Sequence, residues 1–244
     1  MSNPIMRLEE RQAEQERVIN ADEVMTVNGA LQITAFMALI MVIAAGYVWN
    51  KFALGYTDMG MMLTSIGAIA GFITALIIAF GKVTVLVPVY AICEGLFLGG
   101  ISSIFESSYS GIVVQAAAGT MAALFSMLIL YKLGIIKCSD KFRSVIFIST
   151  ASVAVIYLVD FIGRLFSYSV PIIHTATTGG IAFSAIVVAI AALNLIIDFD
   201  FIEKGAQRMY PKKYEWYGAF GLLVTLVWLY VEILNLLAKI NSRD

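Results

Sequence analysis

The sequence predicts an all-α protein, a polytopic bundle of seven transmembrane helices, and two observations lead to this prediction. Hydrophobic residues make up 60% of the 244 residues and charged residues 14%, with a mean hydropathy of +0.88. Soluble domains are about 45–50% apolar and about 25% charged, so an ordinary soluble domain is excluded. The apolar residues also gather into seven continuous runs, each near the roughly 20 residues that a helix needs to cross a bilayer.

The first element is a polar segment, residues 1–29, with nine charged residues and no apolar run of the signal-peptide type. Charge runs of this kind are usually solvated. We expect a polar cytoplasmic N-terminal tail over 1–29, followed by a transmembrane domain over 30–240.

The seven apolar runs predict the transmembrane helices in chain order. None shows the strict alternation over about ten residues that marks a barrel strand, so helices are favoured. Only Lys82 and its neighbours separate the second run from the third, which predicts a tight hairpin. The expected spans are approximately 30–49, 59–80, 83–105, 111–131, 144–163, 177–198 and 217–238.

The distribution of basic residues predicts the orientation, because cytoplasmic loops carry an excess of Lys and Arg. With the N-terminus inside, the inner segments hold 12 of these residues and the outer segments 4. The inner ones are Arg7, Arg11, Arg17, Lys82, Lys132, Lys137, Lys141, Arg143, Lys204, Arg208, Lys212 and Lys213, and the outer ones are Lys51, Arg164, Lys239 and Arg243. We therefore expect a multi-pass protein of the inner cell membrane with its N-terminus in the cytoplasm. The count leaves open whether the last segment spans fully or is re-entrant.

Charge and motif content exclude several other classes of protein. Sixteen Lys and Arg nearly balance 17 Asp and Glu without a basic cluster, so no nucleic-acid partner is expected. Two cysteines are too few for a disulfide framework or a zinc site. His174 is the single histidine, and no hydrolase, metalloprotease or phosphate-loop motif occurs. We expect neither enzymatic activity nor a cofactor.

Four carboxylates lie within the predicted spans, where an ionisable group is costly and marks a function or a partner. Glu94 and Glu232 are the most informative, because neither has a basic residue within one helical turn. The helical rise of 1.5 Å per residue places both at mid-membrane or somewhat outward. They are the leading candidates for an intramembrane site.

The other acidic positions have simpler interpretations. Asp160 lies one turn before Arg164, the spacing at which opposite charges on a helix meet, so a structural ion pair is expected. Asp198 lies near the inner mouth and is either a solvated carboxylate at the helix end or a gate residue. Asp200, one step nearer the water, is expected to be solvated.

Carboxylates within a membrane can support cation transport. A buried carboxyl group can exchange a proton, and two facing carboxylates can share one proton or bind Ca²⁺ through their oxygens. Protonation then competes with cation binding. Glu94, Asp198 and Glu232 are therefore the candidate ion pathway and pH sensor, and the candidate calcium ligands. The secondary candidates are Asp160, Arg164 and Asp200.

Two pairs of glycines indicate close helix packing beside Glu94. Gly67 with Gly71, and Gly95 with Gly99, are spaced four residues apart, which allows helix backbones to approach closely in lipid. The spacing predicts that Glu94 lies near a helix contact rather than facing lipid.

Four segments carry a family resemblance. They are MTVNG at 25–29, CEGLFLGGIS at 93–102, IDFDFIE at 197–203, and a last helix that runs from EWY at 215–217 through LYVEILNLL at 229–237. Together they resemble a bacterial branch of the Bax inhibitor family. The resemblance covers nearly the whole chain from residue 25.

This resemblance implies a seven-helix membrane protein, and some members of the family are described as pH-sensitive calcium leak channels. In those members a pair of aspartates in the last two helices closes the pore and opens it when their protonation changes. By motif, Asp198 corresponds to the first of the pair, and Glu232 is the nearest candidate for the second. The second acid is Glu here rather than Asp, and Glu94 is an alternative partner for Glu232.

Two other functions stay open at this point. A non-conducting regulator would bind a membrane protease or another membrane protein through its polar tail, since some bacterial relatives are described as modulators of a membrane-bound protease. A proton-coupled transporter would use the same carboxylates, but its flux would saturate and show counter-transport. Deleting the tail separates the first two functions, because a channel keeps its flux and a tail-dependent regulator loses its partner.

Overall fold

The computed structural model describes residues 24–81 and 84–243, and within these residues the protein is helical with no β-strand. Seven helices of 21 to 30 residues are long and apolar enough to cross a membrane. The predicted all-α, seven-span, multi-pass architecture is confirmed. The long helices are α1 (Val27–Ala53), α2 (Thr57–Gly81), α3 (Val87–Ser108), α4 (Ile112–Lys132), α5 (Asp140–Leu165), α7 (Thr178–Gln207) and α8 (Lys213–Asn241), with a 3-10 turn at Thr84–Leu86 and a short helix α6 at Pro171–His174.

Local sequence signals explain where several helices begin and end. The Thr26 hydroxyl accepts a hydrogen bond from the Gly29 amide and caps α1, and Ser139 caps α5 in the same way. These side chains satisfy amide groups that have no partner inside the helix. Gly55 follows α1 with φ +83°, a left-handed conformation that glycine adopts without steric cost, and so turns the chain into α2.

The chain divides into two compact units. The described residues of the α1–α3 unit are 24–81, 84–113 and Phe201–Val227, and those of the α4–α5 unit are Val114–Asp200 and 228–243. Each of the helices α7 and α8 therefore has one part in the α1–α3 unit and the other part in the α4–α5 unit.

Close backbone packing organises the α1–α3 unit. A Cβ atom on Gly95 or Gly99 would collide with backbone atoms of Met41 or Ala45 in α1, and one on Gly67 would lie 2.6 Å from the Cys93 carbonyl oxygen. The predicted use of these glycines for close helix contacts is confirmed. A hydrophobic core of this unit contains Met37, Met41, Ile78, Val87, Tyr90, Ala91, Phe220 and Leu223.

The segment just before α1 is attached to the start of α8 within the same unit. The Met25 amide donates to the Tyr210 carbonyl at 2.7 Å, and the Met25 side chain is buried. The backbone amide and the hydroxyl of Thr26 both donate to Glu215 Oε1, at 2.9 and 2.8 Å. Residues 24–29 thus belong to the folded unit. The rest of the predicted tail, residues 1–23, and Lys82 of the predicted hairpin lie outside the described residues.

In the α4–α5 unit, polar contacts join helices that are distant in sequence. Asn194 of α7 donates to the Thr150 hydroxyl of α5 at 2.9 Å, and the rings of Tyr157 and Phe183 meet edge to face. Helix α7 continues to Gln207, nine residues beyond the expected end of the sixth apolar span at 198. The acidic residues at 198 and 200 therefore lie inside a helix and not at its end.

Candidate functional site

Glu232 lies in α8 and is among the most deeply buried charged residues, with 2% of its surface exposed. Its Oε1 atom accepts a hydrogen bond from the Tyr157 hydroxyl at 2.7 Å and another from Trp228 Nε1 at 3.1 Å. Both donors are neutral, so they orient the carboxylate without removing its charge. The sequence placed Glu232 in a span but gave no sign of Tyr157, which is 75 residues away.

Lys239 provides a positive charge in the same part of the unit. Its side chain is buried, with 9% of the residue exposed, and its ammonium group donates to the Ser184 hydroxyl at 2.7 Å and to the Gly180 carbonyl at 3.2 Å. Its position near the end of the last apolar run predicts a residue of the outer segment. The available signal was its spacing of seven residues from Glu232, which places two side chains on one helix face.

Glu94 has a different environment in the α1–α3 unit. It lies in α3 and is half-buried, and a Cβ atom on Gly71 of α2 would lie 2.8 Å from its Oε1 atom. The predicted position beside a helix contact is confirmed. Within the described part of the chain, no hydrogen-bond donor or basic side chain contacts this carboxylate.

Asp200 forms a buried ion pair, so the expectation that it is solvated was wrong. The exposed fractions of Asp200 and Arg143 are 4% and 5%, and their carboxylate and guanidinium groups are in direct contact. The Tyr131 hydroxyl lies 3.4 Å from Asp200 Oδ1. The expectation failed for a physical reason. Helix α7 continues past Asp200, and the residue that pairs with Asp200 is Arg143, which lies 57 residues earlier in α5.

The thiol of Cys138 lies beside this ion pair. Arg143 Nε donates to Cys138 Sγ at 3.2 Å. Burial disfavours the charged thiolate, and it raises the pKa of Cys138 to about 11 despite the nearby guanidinium. The thiol therefore remains protonated at neutral pH.

The predicted ion pair between Asp160 and Arg164 is present, with Arg164 Nε 3.1 Å from Asp160 Oδ2. The same carboxylate contacts His174 Nε2 at 2.8 Å and accepts a hydrogen bond from the Val170 amide at 2.8 Å. Asp160 thereby holds the segment between α5 and α7 against the end of α5. This cluster has a structural explanation and needs no ligand.

The candidate acids are divided between the two units. Asp198, Asp200 and Glu232 belong to the α4–α5 unit, whereas Glu94 belongs to the α1–α3 unit. Asp198 is half-buried, and its Oδ2 atom is shielded from solvent. The partnership of Glu94 with Glu232 and the gating role of Asp198 stay predictions. In the residues that the structure describes, no group of three His, Cys, Asp or Glu side chains is arranged to hold a metal ion.

Comparison with known proteins assigns the family. The family described as Bax inhibitor 1 like matches residues 3–242, nearly the whole chain. No curated protein and no solved structure gives a significant match. The extent of the family match agrees with the seven apolar helices and with the resemblance carried by the four sequence segments. The chain therefore belongs to the Bax inhibitor 1 like family of membrane proteins.

Proposed function

We propose that the protein provides a pH-sensitive leak pathway for cations, with Ca²⁺ as the transported ion, controlled by the carboxylates Glu94 and Glu232. The observation that carries the proposal is the environment of Glu94. This carboxylate lies in a spanning helix, half-buried against Gly71, and no donor or cation contacts it within the described residues.

An acid in this position needs a physical reason, because an ionisable side chain within a span costs a few kcal/mol. A structural role would require a hydrogen-bond donor or a basic partner, as Asp160 and Asp200 have. Exchange of a proton or a cation with water is the alternative. Ca²⁺ is bound through carboxylate and carbonyl oxygens, and the absent side chain of Gly71 makes room for the Glu94 carboxylate between the two helices.

Glu232 supports the proposal in a second way. Its two hydrogen bonds come from Tyr157 and Trp228, so the carboxylate is held in one orientation by groups that do not neutralise it. A carboxylate that binds a proton and a cation in turn must be held in a fixed orientation and must keep its negative charge. Asp198, half-buried in α7, is the proposed gate at the cytoplasmic mouth.

We further propose that the protein lies in the inner cell membrane with its N-terminus in the cytoplasm. The structure refines the charge count behind this orientation, because Arg143 and Lys239 are buried and do not act as loop charges. Removing one residue from each side leaves 11 basic residues inside and 3 outside. The proposed orientation therefore keeps an excess of basic residues on its inner side.

The test is Ca²⁺ entry into dye-loaded liposomes that contain purified protein, at pH 6, 7 and 8. Glu94→Gln and Glu232→Gln are measured singly and together. Asp58→Asn is the matched control, because it removes a carboxylate charge at an exposed position at the start of α2. We expect a pH-dependent flux in the parent and in Asp58→Asn, and loss of that flux in the double variant.

A flux no greater than that of empty vesicles at every pH would contradict the proposal and favour the non-conducting regulator. The regulator is then tested by truncation of the tail and recovery of bound membrane proteins, including membrane proteases. The truncation must stop at residue 23. Removing residues 24–29 would also remove the contacts of Met25 with Tyr210 and of Thr26 with Glu215, and the loss of a partner could then reflect unfolding.

A further inference from the structure

Lys239 has a buried ammonium group that the proposed pathway does not use. A buried cation is costly unless an opposite charge or several acceptors compensate it. The two groups that accept its hydrogen bonds, the Ser184 hydroxyl and the Gly180 carbonyl, are both uncharged. Within the described residues, no carboxylate forms an ion pair with Lys239 at 4.0 Å or less. Its positive charge is therefore not neutralised by contact.

Glu232 is the acidic residue nearest to Lys239 along α8. The two are seven residues apart on α8, which corresponds to about 10 Å along the axis and to the same helix face. At this separation inside a protein, two charges interact appreciably through space but do not form a direct pair. An ion held at Glu232 would also experience the field of Lys239.

Lys239 is also fixed in position. Ser184 is itself buried, and with Gly180 it anchors the ammonium group to the first turns of α7. A mobile surface lysine could move away from an approaching cation, but this one is held by both contacts. The arrangement is a stationary positive charge near the proposed cation site.

We propose that Lys239 is a positioning residue whose fixed charge limits the Ca²⁺ flux through the pathway at Glu232, and lowers it more steeply than the flux of a monovalent cation. This inference rests on the proposed function. Coulomb energy scales with the charge of the ion, so the barrier that Lys239 adds for Ca²⁺ is twice the barrier that it adds for K⁺. In fold-change terms, the effect on Ca²⁺ flux is the square of the effect on K⁺ flux.

The test compares Ca²⁺ flux and K⁺ flux in liposomes for the parent, Lys239→Met and Lys239→Arg. Methionine keeps the length of the side chain without its charge, and arginine keeps the charge. We expect Lys239→Met to raise K⁺ flux roughly threefold and Ca²⁺ flux roughly tenfold, while Lys239→Arg keeps the parent ratio. Lys239→Gln, which retains a hydrogen-bond donor for Ser184, serves if the methionine variant does not fold.

Each outcome decides the inference. Equal changes in both fluxes in the neutral variants, or no change in either, would overturn it, because the effect of a fixed charge must increase with the charge of the ion. A larger rise in Ca²⁺ flux than in K⁺ flux in Lys239→Met, relative to a conducting parent, supports it. If the parent, Lys239→Met and Lys239→Gln all leak no more than empty vesicles, the proposed function and this inference both fail. Flux with an unchanged ion ratio removes the inference alone.

A second readout does not depend on transport. Thermal unfolding of the parent, Lys239→Met, Glu232→Gln and the double variant forms a double-mutant cycle, which isolates the interaction of the two residues. We expect Lys239→Met to lower the melting temperature less in the Glu232→Gln background than in the parent. Independent, additive effects would contradict the electrostatic link on which the inference depends.

Discussion

The surroundings of Glu94 and those of the acids in the α4–α5 unit show two ways of placing a carboxylate among apolar helices. In the α4–α5 unit, Asp200 contacts Arg143, Asp160 contacts Arg164, and Glu232 accepts hydrogen bonds from neutral side chains. In the α1–α3 unit, Glu94 lies against a glycine. The first arrangement uses charge to join segments of the chain, whereas the second leaves a carboxylate without a polar partner among the described residues.

The difference teaches that burial alone does not identify a functional acid. Asp200 is more deeply buried than Glu94, but its partner gives it a structural explanation. An acid whose environment provides no partner is the stronger functional candidate. The comparison predicts that substitutions at paired acids mainly change stability, and that substitution at Glu94 mainly changes transport.

The largest expected effect is on the Arg143–Asp200 pair. Arg143→Met leaves Asp200 buried without its counter-charge, and removing one partner of a buried pair costs about 3–5 kcal/mol. We expect a strong fall in melting temperature in detergent. Lys141→Met is the matched control, because Lys141 is exposed on the same helix turn. The double variant Arg143→Met with Asp200→Asn should recover part of the loss, and failure to recover any of it would contradict the ion-pair explanation.

Next in size is the packing of α3 on α1, which holds the region around Glu94. Gly99→Ala places a methyl group against the backbone of Ala45, which cannot move as a side chain can. Overpacking of this kind costs typically 1–3 kcal/mol. Gly46→Ala is the control, since a Cβ atom there meets nothing within 4 Å. Equal melting temperatures for the two variants would show that close backbone contact does not stabilise this unit.

An effect of similar size tests the two carboxylates directly. Tyr157→Phe removes a hydrogen bond to Glu232, and hydrogen bonds to charged groups contribute about 1.5–3 kcal/mol. Glu94→Gln breaks no hydrogen bond within the described residues, so we expect its melting temperature to equal or exceed that of the parent. Thermal unfolding in detergent measures both. A large loss of stability in Glu94→Gln would mean that this acid is structural and would remove the contrast.

Much of the fold could be predicted from composition and spacing, because bilayer thickness imposes the length of each span. The Asp160–Arg164 pair and the glycine contacts of α3 were also predictable, since both depend on residues four apart on one helix. The Arg143–Asp200 pair and the Tyr157 hydrogen bond were not. Their partners are 57 and 75 residues apart in the chain, and helix packing alone brings them together.

Lys239 illustrates an intermediate case. Its spacing from Glu232 was visible in the sequence, but a basic residue near the end of an apolar run is ordinarily assigned to the interface. Only the contacts with Ser184 and Gly180 show that it is buried. Charge counts for membrane orientation therefore include some residues that lie inside the bundle.

The smallest effect concerns Cys138, beside the Arg143–Asp200 pair. Its pKa is raised to about 11 by burial, above the value of about 8.5 for a free thiol. Alkylation requires the thiolate, so we expect little reaction with iodoacetamide at pH 7.5 and a rate that rises about tenfold per pH unit towards pH 11. Peptide mass spectrometry measures the rate, and the SDS-unfolded protein is the control, with faster reaction at pH 7.5.

The sign of the accompanying stability change follows from proton linkage. Between about pH 8.5 and 11, the unfolded chain has lost the Cys138 proton while the folded protein retains it. The stability contributed by the buried thiol is therefore fully present below about pH 8.5 and declines as the pH rises towards 11. Cys138→Ser, whose hydroxyl does not ionise in this range, should not show this decline. Rapid alkylation of the folded parent at pH 7.5 would instead indicate that the thiol next to the ion pair is open to water, and would contradict the effect of burial on its pKa.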